Sequence, residues 1–330
     1  MNSPLPPALV LAAGLGTRLR PLTFSRAKAA VPLAGVPIIR HHVTQCAAQG
    51  VRDAVINLHH RPETIAGVVG DGAGLGCRVR YSWERTLLGS AGGPRHAAPL
   101  LGRRFFLING DTLCDVDLAA LLAAHRSHDA WVTLAVTENP SPARYGGVVT
   151  DADGRVTGFA PPGDQRNPPL FVGVQIVEAS AFDTLADGVP AATVGGLYDR
   201  LATTTGRVRT HTIDGHFYDI GTPADYLAAN RAMARDHSAS DTYVGRRCHV
   251  APSSHVERSV LWDDVHVGAD CQVSNCVLTD GVRLPDGTQI DGRALVPLSG
   301  IGAQAQDATA LPGAARLGDL LSVPILAPPA

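Results

Sequence analysis

Short apolar runs alternate with amphipathic segments along the first half of the chain. Two stretches, Pro37 to Gln49 and Asp117 to His128, place apolar residues at helical spacing and predict helices, as does the stretch from Pro62. The alternation of strands and helices predicts an α/β fold with a Rossmann-like, doubly wound, mixed but mainly parallel sheet. The predicted strands of this sheet are ALVLAA (8–13), DAVINL (53–58), RVRYSWE (78–84), FFLIN (105–109) and WVTLAVT (131–137).

The pattern changes at Tyr145. YGGVVTDADGRVTGF (145–159) predicts a hairpin that turns at Asp153-Gly154, and LFVGVQIV (170–177) predicts a further strand. A closing helix is expected from Pro223, because proline favours the first turn of a helix.

After about residue 240, aliphatic residues recur six positions apart in three successive runs, with glycine, asparagine and aspartate between them. A period of this kind predicts a short parallel β-helix, against the alternative of a sandwich edge with chance spacing. We therefore expect a catalytic domain over residues 1–238, a β-helix over 239–300 and a tail of unassigned structure over 301–330. The positions that carry the period are Val244, Val250, Val256, Trp262, Val267, Val273, Leu278, Leu284, Ile290 and Val296.

Composition narrows the classes of partner. The net charge is −2 and the arginines are scattered, so no basic patch calls for nucleic acid. No apolar stretch approaches the length of a membrane span, and the amino terminus lacks the features of a signal peptide. The six cysteines form no CxxC pair and suit a reducing compartment. We expect a cytoplasmic protein that has neither nucleic acid nor a membrane as partner.

The segment LAAGLGTRLRPLTFSRAK (11–28) is typical of an anion-binding loop. Gly14 and Gly16 allow a tight turn whose backbone N–H groups face an anion, and Arg18 adds positive charge beside them. Lys28 is the only lysine among the 28 basic residues of the chain. The other basic residues are all arginine. A position that keeps lysine despite this preference for arginine indicates a crowded phosphate site, where a compact point charge fits and a planar guanidinium does not. The alternative is a lysine on a solvated face.

Two aspartates follow predicted strands and are candidates for a hard cation. Asp111 comes directly after FFLIN, and Asp219 lies in FYDIG. Magnesium commonly takes one or two protein carboxylates together with substrate phosphates. Each aspartate could instead cap a helix or form a turn. Together with the glycine loop they predict Mg²⁺ and a nucleoside triphosphate.

Four motifs in order, LAAGLGTRLRPLT with Lys28, LLGSAGG, INGD and YDIGTPADY, resemble the sugar-phosphate nucleotidyltransferase family over about residues 8–236. The period-six region resembles the left-handed β-helix that follows this domain in some members. The resemblance implies transfer of a nucleotidyl group from a nucleoside triphosphate to a sugar-1-phosphate, with release of pyrophosphate. A coil of this kind presents exposed ends and flat faces, so we also expect self-association.

The resemblance also assigns roles to residues. Arg18 would neutralise the β- and γ-phosphates, and Lys28 would lie between the α-phosphate and the attacking sugar phosphate. Asp111 and Asp219 would hold Mg²⁺. The nucleotide would be bound by Leu11, Ala13, Gly14, Gly16, Thr17, Glu84, Gly89, Ala91 and Gly92.

Glu84 bears on the choice of base, since family members carry Gln or Glu beside the base. A carboxylate only accepts hydrogen bonds and suits the adjacent donors of guanine, which favours GTP and mannose-1-phosphate. The alternatives are UTP or dTTP with glucose-1-phosphate or MurNAc-1-phosphate, or a Glu84 that is simply a residue at a strand end.

The sugar side departs from the family pattern. Gly146 and Gly173 are the candidate sugar contacts. The usual Glu-Lys-Pro triplet is replaced by FAPPG (159–163), which lacks both charged side chains. This departure keeps a second hypothesis open, a catalytically weak regulatory subunit that binds nucleotide-sugar. Arg144 and Arg166 are the candidate substitutes for the missing lysine.

Overall fold

The structure is a computed structural model that describes residues 4–237 and 241–326. The chain forms two compact units, each described separately below. We call residues 4–14 and 39–218 the sheet unit, and the described residues of 15–38 and 219–326 the coil unit. No helix among the described residues is long and apolar enough to cross a lipid bilayer.

Strands and helices up to residue 237 are, in chain order, β1 (Ala8–Leu11), β2 (Pro32–Leu33), β3 (Val36–Pro37), α1 (Ile38–Ala48), β4 (Asp53–Leu58), α2 (Pro62–Val69), β5 (Arg78–Trp83), α3 (Gly89–Ala97), β6 (Arg104–Asn109), β7 (Thr112–Cys114), α4 (Leu118–Ser127), β8 (Val132–Thr137), β9 (Gly147–Thr150), β10 (Val156–Ala160), β11 (Leu170–Glu178), α5 (Tyr198–Thr205), β12 (Val208–Thr212), β13 (Phe217–Asp219) and α6 (Pro223–His237). Those that follow are β14 (Tyr243–Val244), β15 (His249–Val250), β16 (His255–Glu257), β17 (Val260–Leu261), β18 (His266–Val267), β19 (Gln272–Ser274), β20 (Val277–Leu278), β21 (Arg283–Leu284), β22 (Gln289–Asp291), β23 (Arg293–Pro297), α7 (Ala305–Thr309), β24 (Ala315–Leu317) and β25 (Leu320–Pro324).

The sheet unit is built on a seven-stranded sheet in the order β12-β8-β11-β6-β1-β4-β5. β1 pairs in parallel with β4 and β6, β4 with β5, and β12 with β8. Only β11 among these strands runs against its two neighbours. The predicted doubly wound mixed sheet is confirmed.

The central strands of this sheet carry buried apolar side chains on both faces, as expected of strands that are covered on both sides. Leu9, Val55, Leu107 and Leu134 are fully buried in one continuous core. The strands and helices predicted from the apolar pattern are present, with ends that differ by at most two residues. The sequence analysis did not identify α5 and β12. β12 lies at the edge of the sheet, where the apolar signal of a strand is weakest.

The coil unit contains a short parallel β-helix with three faces, which confirms that prediction. One face carries β14, β17, β20 and β23, the second β15, β18 and β21, and the third β16, β19 and β22. Partners along a face lie 17 residues apart, as His249 and His266 do, so one of the three sides of each turn has five residues instead of six.

This shorter turn corrects the predicted register at two positions. Leu261 and Leu295 occupy the interior of the coil, where the period of six placed Trp262 and Val296. Both of those side chains are buried outside the coil interior. Val296 packs in a separate apolar cluster with Phe24.

The segment after the coils is ordered within the described residues. α7 is followed by the hairpin β24–β25, and β25 pairs antiparallel with β23 at the edge of the last turn. The predicted tail (301–330) therefore contains regular structure, which the sequence did not reveal. Its last four residues lie outside the described residues, as does the predicted boundary between residues 238 and 239.

Two valines of the same period test the burial of the coil interior. Val267 is 0% exposed and Val244, on the first strand, is 48% exposed. We expect Val267→Ala to destabilise the coil unit by about 2–3 kcal/mol, because it removes two buried carbons and leaves a cavity.

Val244→Ala is the matched control, with an expected change below about 0.5 kcal/mol. Thermal unfolding followed by circular dichroism measures both variants. Equal losses of stability in the two variants would contradict the assigned register.

Candidate functional site

Polar residues collect at the carboxyl edge of the parallel strands in the sheet unit. Leu11, at the end of β1, lies opposite Asn57 on β4 and Asn109 on β6. The Gly110 N–H donates to the Leu11 carbonyl at 2.9 Å. Glu84 follows β5, and its N–H donates to the Leu58 carbonyl at 2.9 Å. The loops after β1, β5 and β6 therefore share one edge, which is where ligands bind on such sheets.

The glycine loop leaves this edge with its backbone exposed. Ala12 and Ala13 are buried, whereas Gly14 is exposed, and a Cβ atom added at Gly14 would meet no atom within 4 Å. An approaching ligand can therefore contact the main chain at this point. The start of the loop is fixed by a side chain, because the Ala12 N–H donates to Asn57 Oδ1 at 2.6 Å.

Asn57 and Glu84 form a buried chain of hydrogen bonds below the glycine loop, which we call the relay. With its Oδ1 taken by Ala12, Asn57 donates from Nδ2 to Glu84 Oε1 at 2.7 Å. The other Glu84 oxygen accepts the Leu88 N–H at 2.9 Å. Glu84 is only 1% exposed. Each of its two oxygens accepts a hydrogen bond from another residue of the protein. A carboxylate is therefore needed here to satisfy these buried donors, which the sequence analysis did not consider. A contact between Glu84 and a base stays a prediction.

The LLGSAGG glycines lie against a second segment of the sheet unit. A Cβ atom at Gly89 would lie 2.7 Å from the Ala191 carbonyl oxygen, and one at Gly92 would lie 2.7 Å from the Val189 carbonyl oxygen. The Ala191 carbonyl also accepts the N–H groups of Ala91 and Gly92, at 2.9 and 3.2 Å. The space beside these glycines and the N–H donors of Ala91 and Gly92 are thus used by this segment. Nucleotide binding at these three positions stays a prediction.

Asp111 is half-buried at the end of β6, and the buried His42 lies near it. Burial, followed by the influence of His41, lowers the pKa of His42 to about 4, while Asp111 acts in the opposite direction. His42 is therefore neutral at pH 7. Its Nε2 has no hydrogen-bond partner among the described residues. A cavity of about 10 Å³ beside it has room for one water molecule.

In the coil unit, Gly16 brings Lys28 next to the turn of the anion loop. Gly16 has a left-handed backbone (φ 61°, ψ 34°), which glycine adopts without strain. Its carbonyl accepts the Thr23 hydroxyl at 2.9 Å. A Cβ atom at Gly16 would lie 3.1 Å from Lys28 Cβ and 2.7 Å from Thr23 Cγ2. Thr17, the next residue, is exposed. The turn and the single lysine are therefore neighbours.

Arg18 and Asp219, far apart in sequence, converge on Gly221 in the coil unit. A Cβ atom at Gly221 would lie 3.2 Å from Asp219 Oδ2, 3.2 Å from Asp225 Oδ2 and 3.5 Å from Arg18 Nη1. Asp225 also accepts from the Thr222 N–H and hydroxyl, at 2.9 and 2.8 Å, in a capping box at the start of α6. The structure thus places a predicted phosphate-binding cation beside a predicted metal ligand.

The two predicted metal ligands belong to different units, Asp111 to the sheet unit and Asp219 to the coil unit. Over residues 4–237 and 241–326, no three His, Cys, Asp or Glu side chains are grouped to hold a metal ion. A site with one or two carboxylates, completed by substrate phosphates, is the arrangement that suits Mg²⁺. The chemistry of these carboxylates fits that ion.

On the sugar side, both candidate glycines lie in close contact with other residues, Gly173 with side chains and Gly146 with backbone. Gly173 is at an irregularity in β11 and has a φ of 83°, and a Cβ atom there would lie 2.7 Å from Thr112 Oγ1. Gly146 lies against the Ala160 carbonyl at the end of β10.

Of the two candidate substitutes for the missing lysine, Arg166 pairs with Asp164 through two hydrogen bonds of 2.9 and 2.7 Å. Arg144 stacks on the Tyr145 ring at 5.0 Å. Neither geometry identifies a sugar-phosphate site by itself.

Sequence reasoning missed two residues of this region. Asn57 is the next-to-last residue of an apolar strand, and a polar residue at such a position is a usable signal for the carboxyl edge of a sheet. Asp225 stands three residues after Thr222, the spacing of a capping box, and that pattern could have been found in the sequence.

Comparison with known proteins agrees with this geometry. The profile of the nucleotidyl transferase family matches residues 7–236, and that of the GlmU-like C-terminal hexapeptide matches residues 218–294. A mannose-1-phosphate guanylyltransferase of Mycobacterium tuberculosis is 30% identical over 299 residues, which cover 81% of this chain and 82% of that protein. A probable mannose-1-phosphate guanylyltransferase of Oryza sativa is 29% identical and covers 86% and 81%.

Among solved structures, HddC from Yersinia pseudotuberculosis complexed with GMP-PN is 25% identical, with a TM-score of 0.61. The alignment covers 69% of this chain and 100% of that one.

The relay predicts that a glutamine cannot replace Glu84 without loss of stability. In Glu84→Gln the side-chain amide would set an N–H donor against either Asn57 Nδ2 or the Leu88 N–H, and Asn57 cannot turn over without losing Ala12. An unmade buried hydrogen bond of this kind costs about 1–3 kcal/mol.

Chemical denaturation of Glu84→Gln, with the exposed Glu138→Gln as control, measures the loss. Equal stability of the two variants would contradict the relay.

Proposed function

This chain belongs to the nucleotidyl transferase family, and we propose that it transfers a nucleotidyl group from GTP to mannose-1-phosphate, giving GDP-mannose and pyrophosphate. The observation that carries the proposal is the convergence of Arg18 and Asp219 at Gly221, together with Lys28 beside the turn at Gly16. The named activity of the Mycobacterium tuberculosis and Oryza sativa relatives supports the substrates.

The reaction needs alignment and charge stabilisation more than proton transfer. A phosphate oxygen of the sugar-1-phosphate, already ionised at neutral pH, attacks the α-phosphorus of the nucleotide. A new P–O bond forms there as the bond to the bridging oxygen of the β-phosphate breaks, and pyrophosphate leaves with that electron pair. No general base is required, and preorganised positive charge is the main contribution of the protein.

The glycine loop, Arg18 and Lys28 each have a role in this reaction. The exposed backbone from Gly14 to Thr17 binds the triphosphate. Arg18 stabilises the charge that develops on the leaving pyrophosphate, and Lys28 draws the α-phosphate and the attacking phosphate together. A compact ammonium group reaches two phosphates in a crowded site better than a guanidinium does.

Magnesium is the proposed cofactor, with Asp111 and Asp219 as its ligands. The ion, when bound, supplies positive charge to the phosphate oxygens of the nucleotide.

The segment FAPPG (159–163) at the end of β10 carries no charged side chain. Glucose-1-phosphate or MurNAc-1-phosphate with UTP or dTTP is the alternative substrate pair. A weakly active regulatory subunit is the alternative of another class, and the absence of turnover with any pair of substrates would favour it. Self-association and a cytoplasmic location stay predictions.

Loss of the lysine should abolish most of the activity. We expect Lys28→Ala to lower kcat for pyrophosphate release by about 10²–10³-fold, the range found for removal of one charged or hydrogen-bonding group from such a site.

Pyrophosphate release is measured with each nucleoside triphosphate, Mg²⁺ and a panel of sugar-1-phosphates. Arg316→Ala, an exposed position on the C-terminal hairpin, is the control and should turn over normally. Turnover of Lys28→Ala at the wild-type rate would refute the assigned role.

The same panel tests how Glu84 acts. If the carboxylate supports the glycine loop through Asn57, Glu84→Gln should lower turnover with GTP and UTP by a similar factor. A changed preference between the two nucleotides would instead indicate that Glu84 contacts the base.

A further inference from the structure

The segment Leu15–Ile38 carries both proposed catalytic cations and belongs to the coil unit, although it follows β1 in sequence. Its residues are unusually well buried for a loop. Phe24 is 0% exposed and packs with Val296, Leu321 and Val323 from the last coil and the C-terminal hairpin. The segment is therefore part of the core of the coil unit.

Arg26, two residues before Lys28, is the main polar anchor of this segment. Its Nε donates to Asp280 Oδ2 and its Nη2 to Asp280 Oδ1, both at 2.6 Å. Nη2 also lies 3.5 Å from Asp263 Oδ2, and the guanidinium stands 5.3 Å from the centre of the Trp262 ring. The Arg26 side chain is 16% exposed. A planar fork between a carboxylate and an aromatic face is a geometry that lysine cannot reproduce.

A second anchor holds the segment beyond Lys28. Trp262 Nε1–H donates to the Tyr226 hydroxyl at 2.8 Å, and the Tyr226 hydroxyl donates to the Pro32 carbonyl. The Ala34 N–H donates to Asn230 Oδ1 at 2.9 Å. Tyr226 and Asn230 lie on α6 and are 0% and 1% exposed.

Lys28 thus lies between two fixed points, one at residues 24–26 and one at residues 32–34. Trp262 belongs to both, since it contacts Arg26 through its ring and Tyr226 through its N–H. The residue that the period of six placed inside the coil is therefore the link between the coil and the cation-bearing segment.

We propose that Arg26 is a positioning residue for nucleotidyl transfer, and that Asp280 and Trp262 of the β-helix hold, through it, the segment that presents Lys28 and Arg18. The β-helix then contributes to the reaction as well as to any self-association. The expected effect on kcat rests on the proposed function, whereas the expected effect on the segment does not.

The coil unit offers a matched control pair. Arg247 and Asp264 make the same two hydrogen bonds, both at 2.6 Å, but their side chains are 63% and 49% exposed. Arg26→Lys and Arg247→Lys therefore remove the same pair of hydrogen bonds. The first substitution acts on residues 15–38, and the second acts on an exposed edge of the coil unit. Trp262→Phe is a second test, which keeps an aromatic ring and removes the N–H bond to Tyr226.

Two measurements on the full chain decide the proposal. Hydrogen exchange followed by mass spectrometry should be faster over residues 15–38 in Arg26→Lys and Trp262→Phe than in the wild type, and unchanged in Arg247→Lys. Steady-state kinetics should give a kcat lowered by about 10–100-fold in the first two variants, with the KM for nucleotide changed less than threefold, since small misplacements of aligned groups act on the chemical step.

Unchanged exchange over residues 15–38 would overturn the proposal, whatever the activity. Faster exchange with wild-type kcat would also overturn it, because the anchor would then be structural only. If the wild type itself turns over no pair of substrates, the proposed function fails, while the exchange data still decide whether Arg26 holds the segment.

Discussion

The position of the proposed catalytic cations depends on the burial of one short segment. Residues 15–38 follow a strand of one unit and are packed into the other, with Phe24 in an apolar cluster and Arg26 between a carboxylate and an indole. A loop bearing Arg18 and Lys28 without such support would lose much of its preorganisation, because two flexible cationic side chains on a mobile backbone pay an entropic cost when they meet an anion. The structure avoids that cost by fixing the backbone on both sides of Lys28.

In the sheet unit, the carboxylate of Glu84 fixes the start of the glycine loop in a comparable way. The glycine loop must expose backbone at Gly14, so it cannot be held by side chains of its own. Asn57 holds Ala12 instead, and Glu84 fixes the orientation of Asn57 while it accepts the N–H of Leu88. One buried acceptor thereby links the loops after β1 and β5 through a side chain near the end of β4.

The sequence predicted the fold well where the apolar period was strong. The parallel strands and the helices between them were found because both faces of the sheet are covered, so that their apolar runs are nearly continuous. The β-helix was found from three runs of residues spaced by six, but two of these runs were continued one step too far. A turn of 17 residues cannot keep that phase, and the error fell on Trp262 and Val296, the two side chains that pack outside the coil.

The candidate site was predicted in part. Arg18, Lys28 and Asp219 could be proposed as site residues from motifs, because local sequence determines which groups are able to bind phosphate or a metal ion. The roles of Glu84, Gly89 and Gly92 could not, since they depend on Asn57 and on residues 189–191, which are distant in sequence. Arg26 gave no signal at all, because an arginine is informative only once its partners Asp280 and Trp262 are known.

The shared burial of residues 15–38 and the β-helix also affects how this protein can be recombined. A chimaera that joined residues 1–238 to the coils of a relative would separate Phe24 and Arg26 from the side chains that evolved beside them. The exchangeable module is discontinuous: it consists of the coils, α6 and the inserted segment. Homologous recombination at a single crossover cannot transfer such a module intact, so the segment and the coils are expected to evolve together.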